Sequence, residues 1–272
     1  PTAALFLRPH KCFETGRWYY PLKRHAFRIL RRLPHLTIAT ITPFDVAPRY
    51  KTVAHVGVAD AQYWDLYNDN RPPSTGSTSL SQSVTAASAG RRILCLVGDL
   101  SPEKGLAFLA DTLERHPQIA NHFLVVGAGR VRPQATALAT RLQTFGALIV
   151  DRRITDAELA SLYGVADFIW SCYTPDYDQA SGIFGRAVQY GVTPIVREGS
   201  VIATFSAING IEHIAVAYGA YEALAETLLQ STSRHATASA SFETERRKLI
   251  IAWRNQFVKA IGKGLAGERA AA

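Results

Sequence analysis

Short apolar runs alternate with longer amphipathic segments through the second part of the chain, from Arg91 onward. The spacing near 3.6 between apolar positions predicts helices between the runs. Strands that alternate with helices are typical of a parallel sheet covered on both faces. We therefore predict an α/β fold with a Rossmann-like lobe over residues 91–236. Its strands are predicted at Ile93–Val97, Phe123–Val126, Leu148–Val150, Phe168–Trp170 and Pro194–Val196, and its helices at 102–115, 132–144, 156–164, 182–190 and 221–230.

The front of the chain predicts a partial second α/β lobe over residues 1–68. Ala3–Leu7 and Leu36–Ile41 are short and apolar, as buried strands are, and a basic amphipathic helix is predicted at 20–33. Residues 69–90 contain few large apolar side chains and are predicted to be a linker or surface loop. Residues 237–272 are predicted to hold a C-terminal amphipathic helix, which in one arrangement crosses back to the first lobe.

Composition indicates a soluble globular protein, with 47% hydrophobic and 19% charged residues. No apolar run reaches the roughly 20 residues that a membrane span needs, and the first residues do not resemble a signal peptide. Cys12, Cys95 and Cys172 are far apart and odd in number, which fits a reducing compartment better than a disulfide scaffold. We therefore expect a cytoplasmic location and no metal site.

The formal net charge of +8 indicates attraction to polyanions such as nucleotides, acidic lipids or nucleic acid. The basic helix at 20–33 would suit a peripheral contact with an anionic membrane, at its inner face. Solvated arginines, or a helix that covers a core, are the alternatives. The basic residues follow no nucleic-acid-binding motif, so we expect no nucleic acid as a partner.

The loop LVGDLSPEKGL places Lys104 near a helix start. Ser101 suits the N-cap and Pro102 the first helical position, so Lys104 would lie in the first turn, where the helix dipole disfavours a cation. A nearby phosphate would reverse that penalty. Solvation, or pairing with Glu103, is the alternative.

Two further turns contain paired glycines. Gly127 and Gly129 follow a strand and would admit a ligand, although a plain tight turn explains them equally well. Gly182 and Gly185 lie at the start of a helix, where glycine is unfavourable unless its backbone N–H groups are needed. Arg186 follows Gly182 by four residues and would reach an anion held there, unless it forms a surface salt bridge.

The order of these motifs resembles the C-terminal lobe of GT-B fold glycosyltransferases, specifically the retaining family 4. The family's G-R-L-x-x-x-K-G corresponds to Gly98–Gly105, its V-G-x-G to Val126–Gly129, and its D-x-E-L-x-x-x-Y-x-x-A-D to Asp156–Asp167. The resemblance covers roughly residues 91–230. Residues 1–68 resemble the end of the partner lobe, with about four strands absent, so a fragment or a reduced lobe is expected.

The resemblance implies the following roles. Lys104 would hold the donor diphosphate, with Gly98, Ser181, Gly182 and Ile183 beside it, and the turn at Gly127 and Gly129 would border the base. Asp178 corresponds to the first acid of the family's E-x7-E pattern and would contact the transferred sugar, unless it is an ordinary loop residue. His10 corresponds to the histidine that lines the reaction centre.

Two positions depart from the family pattern. The phosphate-binding arginine is Asp99 here, and the second glutamate of E-x7-E is Arg186. A guanidinium only donates hydrogen bonds, so Arg186 does not replace a ribose acceptor. We hypothesise that the changes compensate, with Arg186 supplying the diphosphate cation and Asp99 steering it.

The implied activity is retaining, metal-independent transfer of a sugar from a nucleotide-sugar donor to a glycan or lipid-linked acceptor, with no cofactor. The alternatives are a non-catalytic GT-B-like binding protein or subunit, or another GT-B enzyme such as a sugar-nucleotide epimerase or a phosphorylase.

Overall fold

A six-stranded, entirely parallel sheet forms the centre of the protein. The computed structural model describes residues 1–68, 71–232 and 240–266. The strand order is β6-β5-β4-β7-β8-β9, and each pair of neighbouring strands is hydrogen-bonded in parallel. The fold is α/β, as predicted. The six strands are β4 (Arg92–Val97), β5 (Phe123–Ala128), β6 (Leu148–Val150), β7 (Phe168–Ser171), β8 (Thr193–Arg197) and β9 (Ile214–Val216).

Helices cover both faces of this sheet, and two separate apolar cores lie beneath them. The helices of this part are α2 (Ser79–Ser88), α3 (Leu106–Arg115), α4 (Thr136–Thr144), α5 (Asp156–Val165), α6 (Gly182–Tyr190), α7 (Val201–Ile208) and α8 (Tyr221–Gln230). Thr155 and Glu158 form a capping box at the start of α5, and the Asp167 carboxylate accepts from the Ile93 amide at 2.8 Å. The capping box and Asp167 therefore act structurally.

A smaller parallel sheet lies at the front of the chain. Its order is β1-β2-β3, formed by β1 (Thr2–Phe6), β2 (Leu36–Thr40) and β3 (Val56–Gly57). Helix α1 (Tyr19–Leu30) connects the first two strands, and Phe27 stacks on Phe6 with ring centroids 3.8 Å apart.

The predicted linker at 69–90 is wrong for ten of its residues, because Ser79–Ser88 form α2. Thr78 and Ser81 make a capping box, and the buried Leu80 and Val84 pack under the helix. Apart from the exposed Gln82, the other residues of α2 are small, and the Thr78 and Ser161 hydroxyls lie 2.7 Å apart where α2 packs on α5. Strands β3 and β9 and helix α7 are further elements that the sequence does not predict.

Helix α9 (Ala240–Ala266) returns to the front of the chain and packs against β1 and β2. Residues 233–239 and 267–272, which include the predicted boundary at 236/237 and the predicted end of this segment, lie outside the described residues. Among the described residues, no helix is both long enough and apolar enough to cross a membrane.

Candidate functional site

The strongest candidate site lies at the carboxyl edge of the large sheet. Strands β4 and β7 are parallel neighbours, so the loops that follow them meet at this edge. The loops border one cavity of about 320 Å³. It is lined by Gln62, Lys104, Tyr177, Ala180, Ser181, Gly182, Ile183 and Arg186. The turns at Lys104 and Gly182 therefore face a common space.

Lys104 is positioned by its backbone. Pro102–Lys104 form a 3₁₀ turn rather than the start of α3, because Gly105 adopts φ +74° and breaks the helix. A Cβ on Gly105 would lie 2.1 Å from the Cys172 carbonyl oxygen, so only glycine fits. The Trp170 indole donates to the Lys104 carbonyl at 2.8 Å. Lys104 is thus held at the cavity by contacts that do not use its ammonium group.

The Lys104 ammonium packs against aromatic rings rather than carboxylates. Its Nζ lies 4.3 Å from the ring centroid of Tyr173 and 5.0 Å from that of Tyr177. Within the described residues it forms no ion pair, so the alternative pairing with Glu103 is not observed. A cation held over two ring faces without a counter-charge favours an anionic ligand.

The first turn of α6 supplies the opposite wall. Ser181 caps the helix by accepting from the Phe184 amide, and its hydroxyl lies 2.7 Å from that of Tyr173. In the described part of the chain, the Gly182 and Ile183 amides donate no hydrogen bond. These free amides and the positive end of the helix dipole suit an oxyanion such as phosphate.

Arg186 brings a second cation to the cavity. One guanidinium nitrogen lies 3.0 Å from the Asp65 carboxylate of the front segment. The same carboxylate accepts from the Gln189 side chain at 2.9 Å, and Gln189 is fully buried. Arg186 therefore lines the cavity and also forms a salt bridge, so the two alternatives that the sequence left open for this position do not exclude each other.

The 3₁₀ turn Ala61–Tyr63 covers the first turn of α6. A Cβ on Gly182 would lie 1.9 Å from Gln62 Oε1, and one on Gly185 would lie 2.6 Å from the Gln62 carbonyl oxygen. Packing against this turn therefore explains Gly185, whereas the sequence pattern alone indicates ligand binding for both glycines.

Asp99 does not steer Arg186, which corrects that part of the hypothesis. Its carboxylate pairs instead with Arg130, at 3.3 Å, and with Arg132. These two arginines follow β5, next to the loop that carries Asp99, and neutralise its charge. Arg186 has its own partner in Asp65, so the two positions belong to different ion pairs.

The turn at Gly127 and Gly129 has a packing role. Gly127 is a buried residue of β5, where a Cβ would lie 2.8 Å from the Ile149 side chain. Gly129 adopts φ +145°, and a Cβ there would lie 1.9 Å from the Gly98 carbonyl oxygen. Gly98 in turn lies close to Ile183, so these glycines allow the β4 and β5 loops to pack together beside the cavity.

His10 and Asp178 do not line the cavity that Lys104 and Arg186 border, although Asp178 directly follows Tyr177, which does. His10 is buried in the front lobe, and loss of hydration lowers its pKa to about 4. The Asp178 carboxylate accepts from the Val201 amide at 2.8 Å and pairs with Arg197 at 3.0 Å. It lines a second cavity of about 240 Å³, whose other wall is the front segment 46–49. No group of three or more His, Cys, Asp or Glu among the described residues is placed to hold a metal ion.

Comparison with solved structures identifies the architecture. Over 96% of this chain and 71% of the other, the protein superimposes on Anabaena HepE in complex with UDP and glucose, with a TM-score of 0.67 and 14% identity. The fold is that of GT-B glycosyltransferases. A trehalose-phosphate synthase (UDP-forming) from Burkholderia xenovorans gives a TM-score of 0.50 at 13% identity, over 84% of this chain and 52% of that one. This GT-B chain thus spans about half the length of that synthase.

A third similar structure is that of trehalose-6-phosphate from E. coli bound with UDP-2-fluoro glucose. It gives a TM-score of 0.52 at 12% identity and covers 88% of this chain and 70% of the other. No protein-family model and no curated protein matches the sequence. At such low identity the likeness establishes the GT-B fold and leaves the chemistry to the residues of the site.

Sequence reasoning missed four residues around the cavity. Tyr173 and Tyr177 lie under Lys104 but follow β7 in a loop without a recognisable pattern. Gln62 and Asp65 come from the front segment, and the Arg186–Asp65 contact spans 121 positions of the chain. Only the fold brings these residues to the site.

Proposed function

We propose that this protein transfers a sugar from a nucleoside diphosphate sugar to a glycan or lipid-linked acceptor. Transfer proceeds with retention of anomeric configuration and without a metal ion. The observation that carries the proposal is the shared cavity, in which Lys104, Arg186 and the amino end of α6 face one another.

The leaving group sets the chemical requirement. As the bond to the sugar breaks, negative charge develops on the diphosphate, and fixed cations and amides aimed at that charge lower the barrier. Lys104 would bind the diphosphate directly, because its ammonium group has no carboxylate partner to give up among the described residues. The Gly182 and Ile183 amides would donate to the same oxygens, and Arg186 would exchange part of its contact with Asp65 for the phosphate. Asp178 and the second cavity would receive the sugar and the acceptor.

Replacement of Lys104 tests the proposal. We expect the unmodified protein to bind UDP, and Lys104→Met to weaken binding by about tenfold to a hundredfold, since a charge-assisted contact contributes roughly 1.5–3 kcal/mol. Arg186→Ala should weaken it as well. The measurement is titration calorimetry with UDP, GDP and ADP, and Lys51→Met, at an exposed lysine, is the control. If none of these nucleotides binds, or if Lys104→Met and Lys51→Met bind equally well, the site assignment is wrong.

A second candidate function, donor binding without transfer, is favoured by one observation. Both groups that would act at the reaction centre are engaged elsewhere, with His10 buried and Asp178 paired with Arg197. Release of UDP from UDP-glucose, with and without added acceptors, separates the two functions. Nucleotide binding without any release of UDP would favour the second candidate.

A further inference from the structure

Helix α1 presents an apolar side outward. Trp18, Leu22, Ala26 and Ile29 follow one another at spacings of four, four and three residues, which places them on one side of the helix, and all are exposed. Leu22 and Ile29 are 59% and 51% exposed. A surface helix of a globular protein usually buries this side. We call these four residues the outer face of α1.

Cationic side chains share the inner side of the same helix with the aromatic residues Tyr20 and Phe27. Lys23 Nζ lies 5.2 Å from the centroid of the Phe6 ring, and the Arg24 guanidinium lies 5.8 Å from that of Phe13. These cation–π contacts, the stacking of Phe27 on Phe6 and the burial of Tyr20 together hold α1 against the small sheet, with the outer face turned away from it. The unusual orientation is therefore built into the packing.

The chain segment that carries the outer face has charges of a single sign. Residues 15–44 contain no Asp or Glu and six Lys or Arg, namely Arg17, Lys23, Arg24, Arg28, Arg31 and Arg32. Arg28 and Arg32 are exposed beside the outer face. An apolar, Trp-containing stripe bordered by arginines has the properties of a helix that lies in the interface of an anionic bilayer.

We propose that the outer face of α1 docks on an anionic lipid surface, with its apolar side chains in the interface and Arg28 and Arg32 against the headgroups. Charge complementarity selects this occupant over a second copy of the chain. A symmetric dimer would bring the same arginines of two copies together without a compensating acid. The proposal is independent of the donor chemistry at Lys104.

Vesicle sedimentation of the whole chain tests the proposal. We expect binding to vesicles that contain phosphatidylglycerol, weak binding to phosphatidylcholine alone, and weakening by salt. Leu22→Gln/Ile29→Gln should lower the partition coefficient by about tenfold, because two exposed apolar side chains no longer enter the interface. Arg28→Gln/Arg32→Gln should lower it by about tenfold or more on the anionic vesicles.

Matched variants elsewhere on the surface separate docking from a general loss of hydrophobicity or charge. Ile208 and Val258 are 48% and 59% exposed, so Ile208→Gln/Val258→Gln removes similar apolar surface. Arg153→Gln/Arg247→Gln removes two exposed arginines. Both pairs should sediment like the unmodified protein. The proposal is overturned if sedimentation ignores lipid charge, or if α1 and control variants behave alike. A dimer in light scattering that Leu22→Gln/Ile29→Gln dissolves, without vesicle binding, would overturn it in favour of self-association.

Discussion

His10 and Lys104 meet opposite environments, and each environment follows from a few neighbours. His10 is buried beside the core of the small sheet, where hydration of an imidazolium is lost. Its neighbour Glu14, at 3.7 Å, offsets only part of that loss. Lys104 remains half-buried over tyrosine rings at an open cavity. The first side chain is therefore neutral at physiological pH, and the second is a cation available to a ligand.

Burial of His10 predicts a loss of stability in mild acid. Its pKa is about 4 in the folded protein against an ordinary 6.5, so between these values only the unfolded chain binds the proton. Above about pH 6.5 the group does not affect stability. As the pH falls towards 4, the free energy of unfolding decreases, by up to about 3 kcal/mol. We expect urea denaturation of His10→Gln to show a flatter dependence on pH over this window. His25→Gln, at an exposed histidine of α1, should keep the original slope; equal slopes for both variants would contradict the assignment.

The sequence clearly indicates some helices and strands and does not indicate others. Strands β4, β5 and β7 and helices α5 and α6 have apolar periodicity with caps or glycines at their ends, and the sequence predicts them within a few residues. It does not predict helix α2, because the exposed face of α2 consists of Ser, Thr, Ala and one Gln, and only Leu80 and Val84 are large and buried. The stability of α2 comes from packing against α5, which local sequence does not report.

Local sequence also fails to indicate the contacts of a glycine in helix α6, and a substitution tests this. Alanine is the better helix former by about 1 kcal/mol, so propensity alone predicts that Gly185→Ala stabilises α6. A Cβ at that position would lie 2.2 Å from the Tyr63 ring and 2.6 Å from the Gln62 carbonyl oxygen. We therefore expect Gly185→Ala to destabilise the protein by about 1–3 kcal/mol in urea denaturation. It should also weaken UDP binding, because the amino end of α6 shifts.

Gly262 is the matched control for this change. It lies in α9, where an added Cβ would meet no atom of the described residues within 4 Å, so Gly262→Ala should stabilise the chain by up to about 1 kcal/mol. If Gly185→Ala were as stabilising as Gly262→Ala, the close contact between α6 and the 3₁₀ turn Ala61–Tyr63 would not exist in solution.

Three distant parts of the chain meet in one apolar cluster. The cluster contains Ala59, Tyr63 and Tyr67 from the front segment, Phe184 and Phe205 from the large lobe, and Ile250 and Trp253 from α9. The sequence indicates both lobes and the C-terminal helix. It does not show that these parts share a core, because the contacts join positions far apart in the chain. The same cluster holds Gln62 and Asp65 beside α6, so the candidate site depends on it.

Trp253 tests whether this cluster makes the molecule one cooperative unit. Its side chain is 3% exposed, packs on Tyr63 and Phe205, and donates to the Asn209 side chain at 3.1 Å. We expect Trp253→Ala to lower the free energy of unfolding by about 3–5 kcal/mol. Trp18→Ala, at an 81% exposed tryptophan, should change it by less than about 0.5 kcal/mol.

Hydrogen exchange then shows how far the effect of Trp253→Ala extends. Because α9 packs on β1 and β2 as well as on the cluster, amides of β2 should lose protection together with those of β8. The coupling arises because the small sheet has only three strands among the described residues and relies on α9 for part of its cover. If β2 kept its protection while β8 lost it, the two lobes would fold independently. Gln62 and Asp65 would then be held at the candidate site only by their direct contacts with α6.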